Sequence, residues 1–239
     1  MAGLVKRELS RFIKSPAVCL NAGFGILIML FLTVVSLIKT EALRERVTDL
    51  LTRAGFGSIL PVAAVVIICF VLTMDCMTAS SVSLEGEGLH ALVTEHGARN
   101  VLWAKGTAQV ILNAPFAVVT LIALGIVIRS SSSETALMAA VSVLFTAVLA
   151  AFGLMMNIKK PMLKWEHEAV PMKQGFSVMY TMVFGWAWVL LFAAGGRLIS
   201  GFVTTVQLFL IFIGLLTAAL LLIVFRLRSK GEDELEALK

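Results

Sequence analysis

The chain has 239 residues, of which 59% are hydrophobic and only 15% charged. A soluble domain carries about 25% charged residues; here the charges fall in short clusters between long apolar runs, which excludes a soluble globular core. The net charge of +5 has no soluble basic face or aromatic platform beneath it, so it speaks for membrane topology and against nucleic-acid binding.

Six apolar runs reach the roughly 20 residues a helix needs to cross the hydrocarbon core: 17–38, 59–82, 106–128, 135–158, 175–196 and 199–225. They are about twice the length of a barrel strand and lack its alternation, and lipid leaves an open backbone without hydrogen-bond partners. The expected fold is therefore all-α: a single transmembrane domain over 1–239 with about six spanning helices.

In chain order, residues 1–16 come first. Leu4, Val5, Leu9, Phe12 and Ile13 fall on one side of a helical wheel, and Lys6, Arg7, Arg11 and Lys14 on the other. This pattern predicts a short amphipathic helix lying in the interface, ended by Pro16. Asn21 is polar within the first run. Segment 39–58 repeats apolar residues at helical spacing (Leu43, Val47, Leu50, Leu51) and reads as a surface helix. The second run holds Asp75, the one acid inside an apolar run. An ionisable group at such depth costs at least ~3 kcal/mol and is a functional hypothesis by default; near the run's end it also suits a structural hydrogen bond, the simpler reading.

Segment 84–105 is more apolar than a loop requires, with Leu84, Leu89, Leu92, Val93, Val101, Leu102 and Trp103 among its charges. Such a segment either docks into a partner's groove or packs as a re-entrant turn on its own bundle. The third run carries Gln109, Asn113 and a kinking Pro115. The basic linker 159–173 contains Glu166-His167-Glu168, but consecutive residues do not share a helix face, and the spacing is wrong for zinc. Trp186 and Trp188 sit mid-run in the fifth span and read as packing. Gln207 lies in the sixth, before the tail 226–239. Cys19, Cys69 and Cys76 fall within apolar runs and make neither a disulfide framework nor a metal site.

Alternating the runs places Lys and Arg unequally. One side holds 14 of them: Lys6, Arg7, Arg11, Lys14, Arg99, Lys105, Lys159, Lys160, Lys164, Lys173, Arg226, Arg228, Lys230 and Lys239. The other side holds 6: Lys39, Arg44, Arg46, Arg53, Arg129 and Arg197. The positive-inside rule makes the first side, with both termini, cytoplasmic. No G-x-x-x-x-G-K-[ST] phosphate loop, paired catalytic residues or metal-ligand spacing is present. The chain therefore reads as a transport or scaffold component, not an enzyme, without a catalytic, cofactor or metal site of its own.

Three stretches resemble bacterial ABC exporter permeases of the six-helix kind. They are Ser80-Ser81-Val82-Ser83-Leu84-Glu85-Gly86 followed by Leu89 and Leu92; Leu163-Lys164-Trp165-Glu166-x-Glu168 leading to Lys173-Gln174; and Glu8, Arg11-Phe12, Ser15-Pro16 with Leu20-Asn21-x-Gly23-Phe24-Gly25. The chain looks like the C-terminal half of longer members. The resemblance implies a multi-pass subunit of the bacterial inner membrane, driven by a separate ATP-binding cassette subunit that carries ATP and Mg. It implies pairing as a homodimer or with a second six-helix half. It also implies contacts to the ATPase through Leu84, Glu85, Gly86, Leu89 and Leu92 and through the interfacial helix with Arg7 and Arg11. The alternative is a self-contained secondary transporter or channel, using Asp75 with Asn21, Gln109 and Asn113 along its path. Membrane lipid is a partner in either case.

Overall fold

The computed structural model describes residues 1–238, Ser58 by its backbone alone; Lys239, counted among the basic residues of the tail, lies outside the described residues. All elements are helical, with no strand among the described residues.

Helix α1 (Ala2–Lys14) turns Leu4, Glu8 and Phe12 inward, one side chain per turn as a four-residue spacing requires. Ser15 is extended, and Pro16 opens α2 (Pro16–Ala22), where its missing N–H is not needed. The first apolar run is not a single helix. Gly23 interrupts it, and α3 (Phe24–Ile38) leaves α2 at 59°. A Cβ on Gly23 would stand 2.5 Å from the Cys19 carbonyl oxygen and 2.7 Å from the Phe12 ring, so the glycine lets the bend close onto α1. Next comes α4 (Thr40–Arg53), the expected surface helix, with no buried residue. Its Arg44 Nε donates to the Val127 carbonyl at 2.7 Å.

The second run departs furthest from expectation. Helix α5 (Leu60–Leu72) covers only 13 residues of 59–82, about 20 Å of rise against a core of ~30 Å. The chain then unwinds through 73–77, forms one turn, α6 (Thr78–Ser81), a 3₁₀ stretch (Ser83–Gly88) and α7 (Leu89–His96). Ser, Thr and Cys side chains along the break bond the carbonyl three residues back, an alternative to the regular helix ladder: Thr73 Oγ1 to Phe70 at 2.6 Å, Cys76 Sγ to Thr73 at 3.1 Å, Ser80 Oγ to Met77 at 3.3 Å and Ser81 Oγ to Thr78 at 3.1 Å.

After Gly97, at φ +79, the chain enters α8 (Ala98–Ile128), 31 residues long. It starts eight residues before the expected third span, so the second half of segment 84–105 is helix, not loop. Its length, about 46 Å, exceeds a bilayer core. Helix α9 (Ser132–Lys159) opens on a capping box between Ser131 and Glu134. The six-residue α10 (Ala169–Gln174) precedes α11 (Phe176–Ile199). Helix α12 (Thr205–Arg226) opens on a second capping box, Thr204 with Gln207; Gln207 is thus a cap and not a polar group within a span. The chain continues through a wide turn, Leu227–Gly231, into α13 (Glu232–Glu236).

Among the described residues, four helices are long and apolar enough to cross a membrane, α8, α9, α11 and α12 with its extension, or five if the bent pair α2–α3 counts as one crossing. The apolar stretches of α8 and α9 are 50% and 56% buried, against 28% for α11 and 22% for α12. The α8–α9 hairpin is therefore the centre, and the outer faces of α11 and α12 are left to lipid. Phe145 and Leu149 of α9 pack with Phe192 of α11, whose ring stacks on Phe212 of α12 at 4.4 Å between centroids. Trp188 packs between Phe184 and Phe192, as its mid-run position suggested. Lipid tails are as apolar as these side chains, so close packing and internal hydrogen bonds must fix the arrangement.

Candidate functional site

The unwound stretch between α5 and α7 would be untenable in lipid unless its peptides found partners. A polar seam supplies them. Lys105, Gln109 and Asn113 stand four residues apart and share one face of α8, all fully buried. Asn113 Nδ2 donates to the Asp75 carbonyl at 3.2 Å. Gln109 Oε1 accepts from the Thr78 amide and hydroxyl, both at 2.8 Å. Lys105 Nζ donates to the Ser81 carbonyl at 2.9 Å. From α9, Asn157 Oδ1 accepts the amides of Val82 at 2.7 Å and Ser83 at 3.1 Å, while its Nδ2 donates to the hydroxyls of Ser83 and Ser177 at 2.7 and 3.0 Å. Ser177 Oγ in turn donates to the Ala79 carbonyl at 2.6 Å. Trp165 Nε1 closes the seam on the Ser83 carbonyl at 2.8 Å.

At one end of the seam Asp75, fully buried, accepts the Gly25 amide at 2.7 Å. Gly25 is the second residue of α3, so the carboxylate caps that helix at the break in the first run, where exposed N–H groups and the helix dipole favour a negative charge. Three fully buried atoms along this end have no hydrogen-bond partner among the described residues: Asp75 Oδ2, Gln109 Nε2 and Asn113 Oδ1.

At the other end lies a cluster of five charges. Glu85 Oε1 receives Lys105 Nζ at 2.6 Å and Arg11 Nη1 at 2.8 Å; its Oε2 receives Arg11 Nη2 at 2.9 Å and Arg7 Nη2 at 2.6 Å. Lys105 also reaches Glu8 Oε1 at 3.0 Å. Burial alone would raise the Glu85 pKa, but the paired Arg11 hydrogen bonds and the Lys105 charge outweigh it and hold the carboxyl well below the usual carboxylate range. Burial would lower the Arg11 pKa, and its bonds to Glu85, with the charges of Glu85, Glu8 and Glu168, raise it instead. Glu168 also accepts the Ser15 hydroxyl, which draws the linker before α10 onto the start of α2. Both ends of the seam therefore fix α1, α3 and α8 to the same unwound segment.

The structure sorts the candidate residues. Arg7, Arg11 and Glu85 meet in one cluster. Leu84, Leu89 and Leu92 turn into the bundle, Leu89 and Leu92 against Leu4, Val101, Leu102 and Leu235, so of the two readings of segment 84–105 the packed one describes their side chains. The outward face of that segment carries Glu87, His90, Thr94 and Glu95. Gly86 sits at φ +54 against the Leu163 carbonyl and the Trp165 ring. Asp75, Gln109 and Asn113 share the seam, but Asn21 does not. Its Nδ2 is spent on the Ala17 carbonyl of its own helix at 2.6 Å, and it lines a separate small cavity with Met74, Cys76 and Ser80. Glu8, Lys105, Asn157, Ser83 and Ser177 were missed. The signal for Glu8 was present, an acid at the centre of the Leu4–Glu8–Phe12 stripe; so was that for the 105–109–113 spacing.

No protein-family model matches the chain, nor does any curated protein or solved structure. The class that the fold itself defines is an all-helical, membrane-embedded protein with four to five helices able to span a bilayer.

Proposed function

We propose that the chain is the transmembrane permease subunit of an ATP-driven exporter, moved by a separate ATP-binding cassette subunit and paired with a second copy or a second six-helix half. The observation that carries the reading is the Glu85 cluster. It joins the interfacial helix α1, the turn at Ser83–Gly88 and the protruding start of α8 at one end of the bundle, so a push on any of them moves all three. In this reading α2–α3, α5 with α6, α8, α9, α11 and α12 make six crossings of a bacterial inner membrane, and both termini are cytoplasmic. The ATPase meets the outward face of α7 and its approach, Glu87, His90, Thr94 and Glu95, and closure of the ATPase pair tilts the α8–α9 hairpin between access states.

The test is reconstitution with candidate ATP-binding cassette subunits from the same organism. The chain is expected to stimulate the ATP hydrolysis of one of them in proteoliposomes. Glu87→Arg with Glu95→Arg is expected to remove the stimulation without altering thermal unfolding. Unchanged hydrolysis with the native chain, or full stimulation by the charge-reversed one, would overturn the reading.

One observation favours the rival, a secondary transporter or channel: the broken second run with the partnerless Asp75, Gln109 and Asn113 atoms, since discontinuous helices mark ion and substrate sites in such proteins. Ion flux through liposomes holding this chain alone, lost in Asp75→Asn, would decide for it.

A further inference from the structure

Outside the seam, a cavity of about 430 Å³ lies at the Arg99 end of the bundle, between α8, α9 and the end of α12. Small residues make it: Gly106 on α8 faces Ala147, Ala150 and Ala151 on α9 across a gap that larger side chains would fill. Leu221 and Val224 of α12 form the far wall. A Cβ on Gly106 would meet nothing within 4 Å, so the space is open at that point. Along α8 the lining runs from Arg99 to Val110, about 16 Å of rise.

The two ends of the cavity differ. The floor is apolar. The rim carries Arg99 and Arg228, both exposed, and one acid, Glu232. Arg228 lies over the Trp103 ring at 5.4 Å, and an indole at a membrane surface marks headgroup level. Arg99 approaches Glu232 only at 4.0 Å, and Arg228 has no carboxylate partner among the described residues, which leaves both guanidinium groups able to take an anion. Basic pockets between spanning helices suit acidic headgroups, and a guanidinium binds phosphate oxygens in pairs.

We infer that this cavity is a binding site for an anionic phospholipid, which lays one acyl chain along Gly106 and Ala147 and sets its phosphate at the Arg99–Arg228 rim. The headgroup charge is what distinguishes this from ordinary solvation by lipid. A zwitterionic lipid offers the arginines a phosphate but brings its own cation to the same rim. Glu232 opposes the anion, so its removal strengthens binding.

The experiment is native mass spectrometry of the detergent-purified full chain, titrated with phosphatidylglycerol or phosphatidylcholine of the same acyl chains. Phosphatidylglycerol is expected to bind preferentially. Arg99→Gln and Arg228→Gln should each weaken it roughly fivefold, and Glu232→Gln should tighten it, with phosphatidylcholine unaffected in all three. Gly106→Leu should block the site, and because leucine favours helix over glycine the thermal unfolding temperature should not fall. Oleate and inorganic phosphate serve as competitors. Displacement by oleate at equal concentration would assign the groove to fatty acids, and displacement by phosphate would reduce it to an anion site at the rim; either overturns the inference. Equal binding of the two phospholipids, or undiminished phosphatidylglycerol binding by Gly106→Leu, would overturn it as well.

Discussion

Replacing Lys105 with Met keeps the stem and deletes one buried charge. All three donors of the ammonium are used, on Glu8 at 3.0 Å, Ser81 at 2.9 Å and Glu85 at 2.6 Å, and the side chain is wholly buried. After the substitution Glu85 still holds Arg7 and Arg11. Glu8, only 3% exposed, keeps no partner closer than Arg11 at 4.0 Å. The loss is therefore dominated by one stranded carboxylate, with the Ser81 carbonyl as a smaller part. Breaking a buried pair by removing one partner costs about 3–5 kcal/mol. Lys105→Met is thus expected to lose about 3–5 kcal/mol. In a micelle unfolding titration followed by tryptophan fluorescence, Glu8→Gln added to Lys105→Met should recover most of that loss. Glu8→Gln alone should still destabilise. If Lys105→Met cost under about 1 kcal/mol, or the second substitution made matters worse by its own full amount, the cluster would not be the coupled unit described here.

Glu85 ties stability to acid. Its folded pKa lies below the unfolded one, so its contribution is fully present above about pH 4.3 and fades as the pH falls toward the folded value; Glu85→Gln should lower stability at pH 7 and flatten the acid limb of the unfolding curve. Asn157→Leu strands the Val82 and Ser83 amides at about 1–3 kcal/mol each, and proteolysis within 73–88 should accelerate. Gly25→Ala would bring a methyl to 2.5 Å from Asp75 Oδ2 and 2.8 Å from the Val71 carbonyl, a clash worth about 1–3 kcal/mol that melting should register. Asp75→Asn keeps an acceptor for the Gly25 amide, so its melting point should drop by less than that of Asp75→Ala, which leaves the start of α3 uncapped at about 1 kcal/mol.

The long helices were legible because composition decides them: α8, α9, α11 and α12 are apolar runs ended by Gly97, two capping boxes and charged tails. The amphipathic pattern of α1 was legible too, down to the turn at Pro16. The breaks were not. A hydropathy average over 59–82 counts Thr, Ser and Cys as mild and misses that four of them lie within bonding reach of the carbonyl three residues back. Likewise Lys105 was read as part of a loop because a charge marks the end of an apolar run, whereas three partners from distant positions bury it completely. Segment 84–105 shows the same limit. Leu84, Leu89 and Leu92 are apolar enough for either a partner or the bundle, and only the position of α1 decides which.

The two interruptions also account for one another. A break at Gly23 exposes the first amides of α3, and a break after Leu72 frees a carboxylate, Asp75, to meet them. Neither would be stable alone in an apolar surround, since each leaves polar groups that lipid cannot satisfy. Joined, they form a junction from which α2 and the Thr78–Gly88 stretch both run back to the Glu85 cluster and α1. In the rival reading the bond between Asp75 and Gly25 would lie on a pathway, and in the proposed permease at the pivot. A group there need not carry a proton or an ion to matter; it has only to hold while the cytoplasm-facing elements of the proposed permease move. That separates two roles for Asp75 by chemistry: a relay requires the carboxyl proton and fails in Asp75→Asn, whereas a pivot requires an acceptor and survives it.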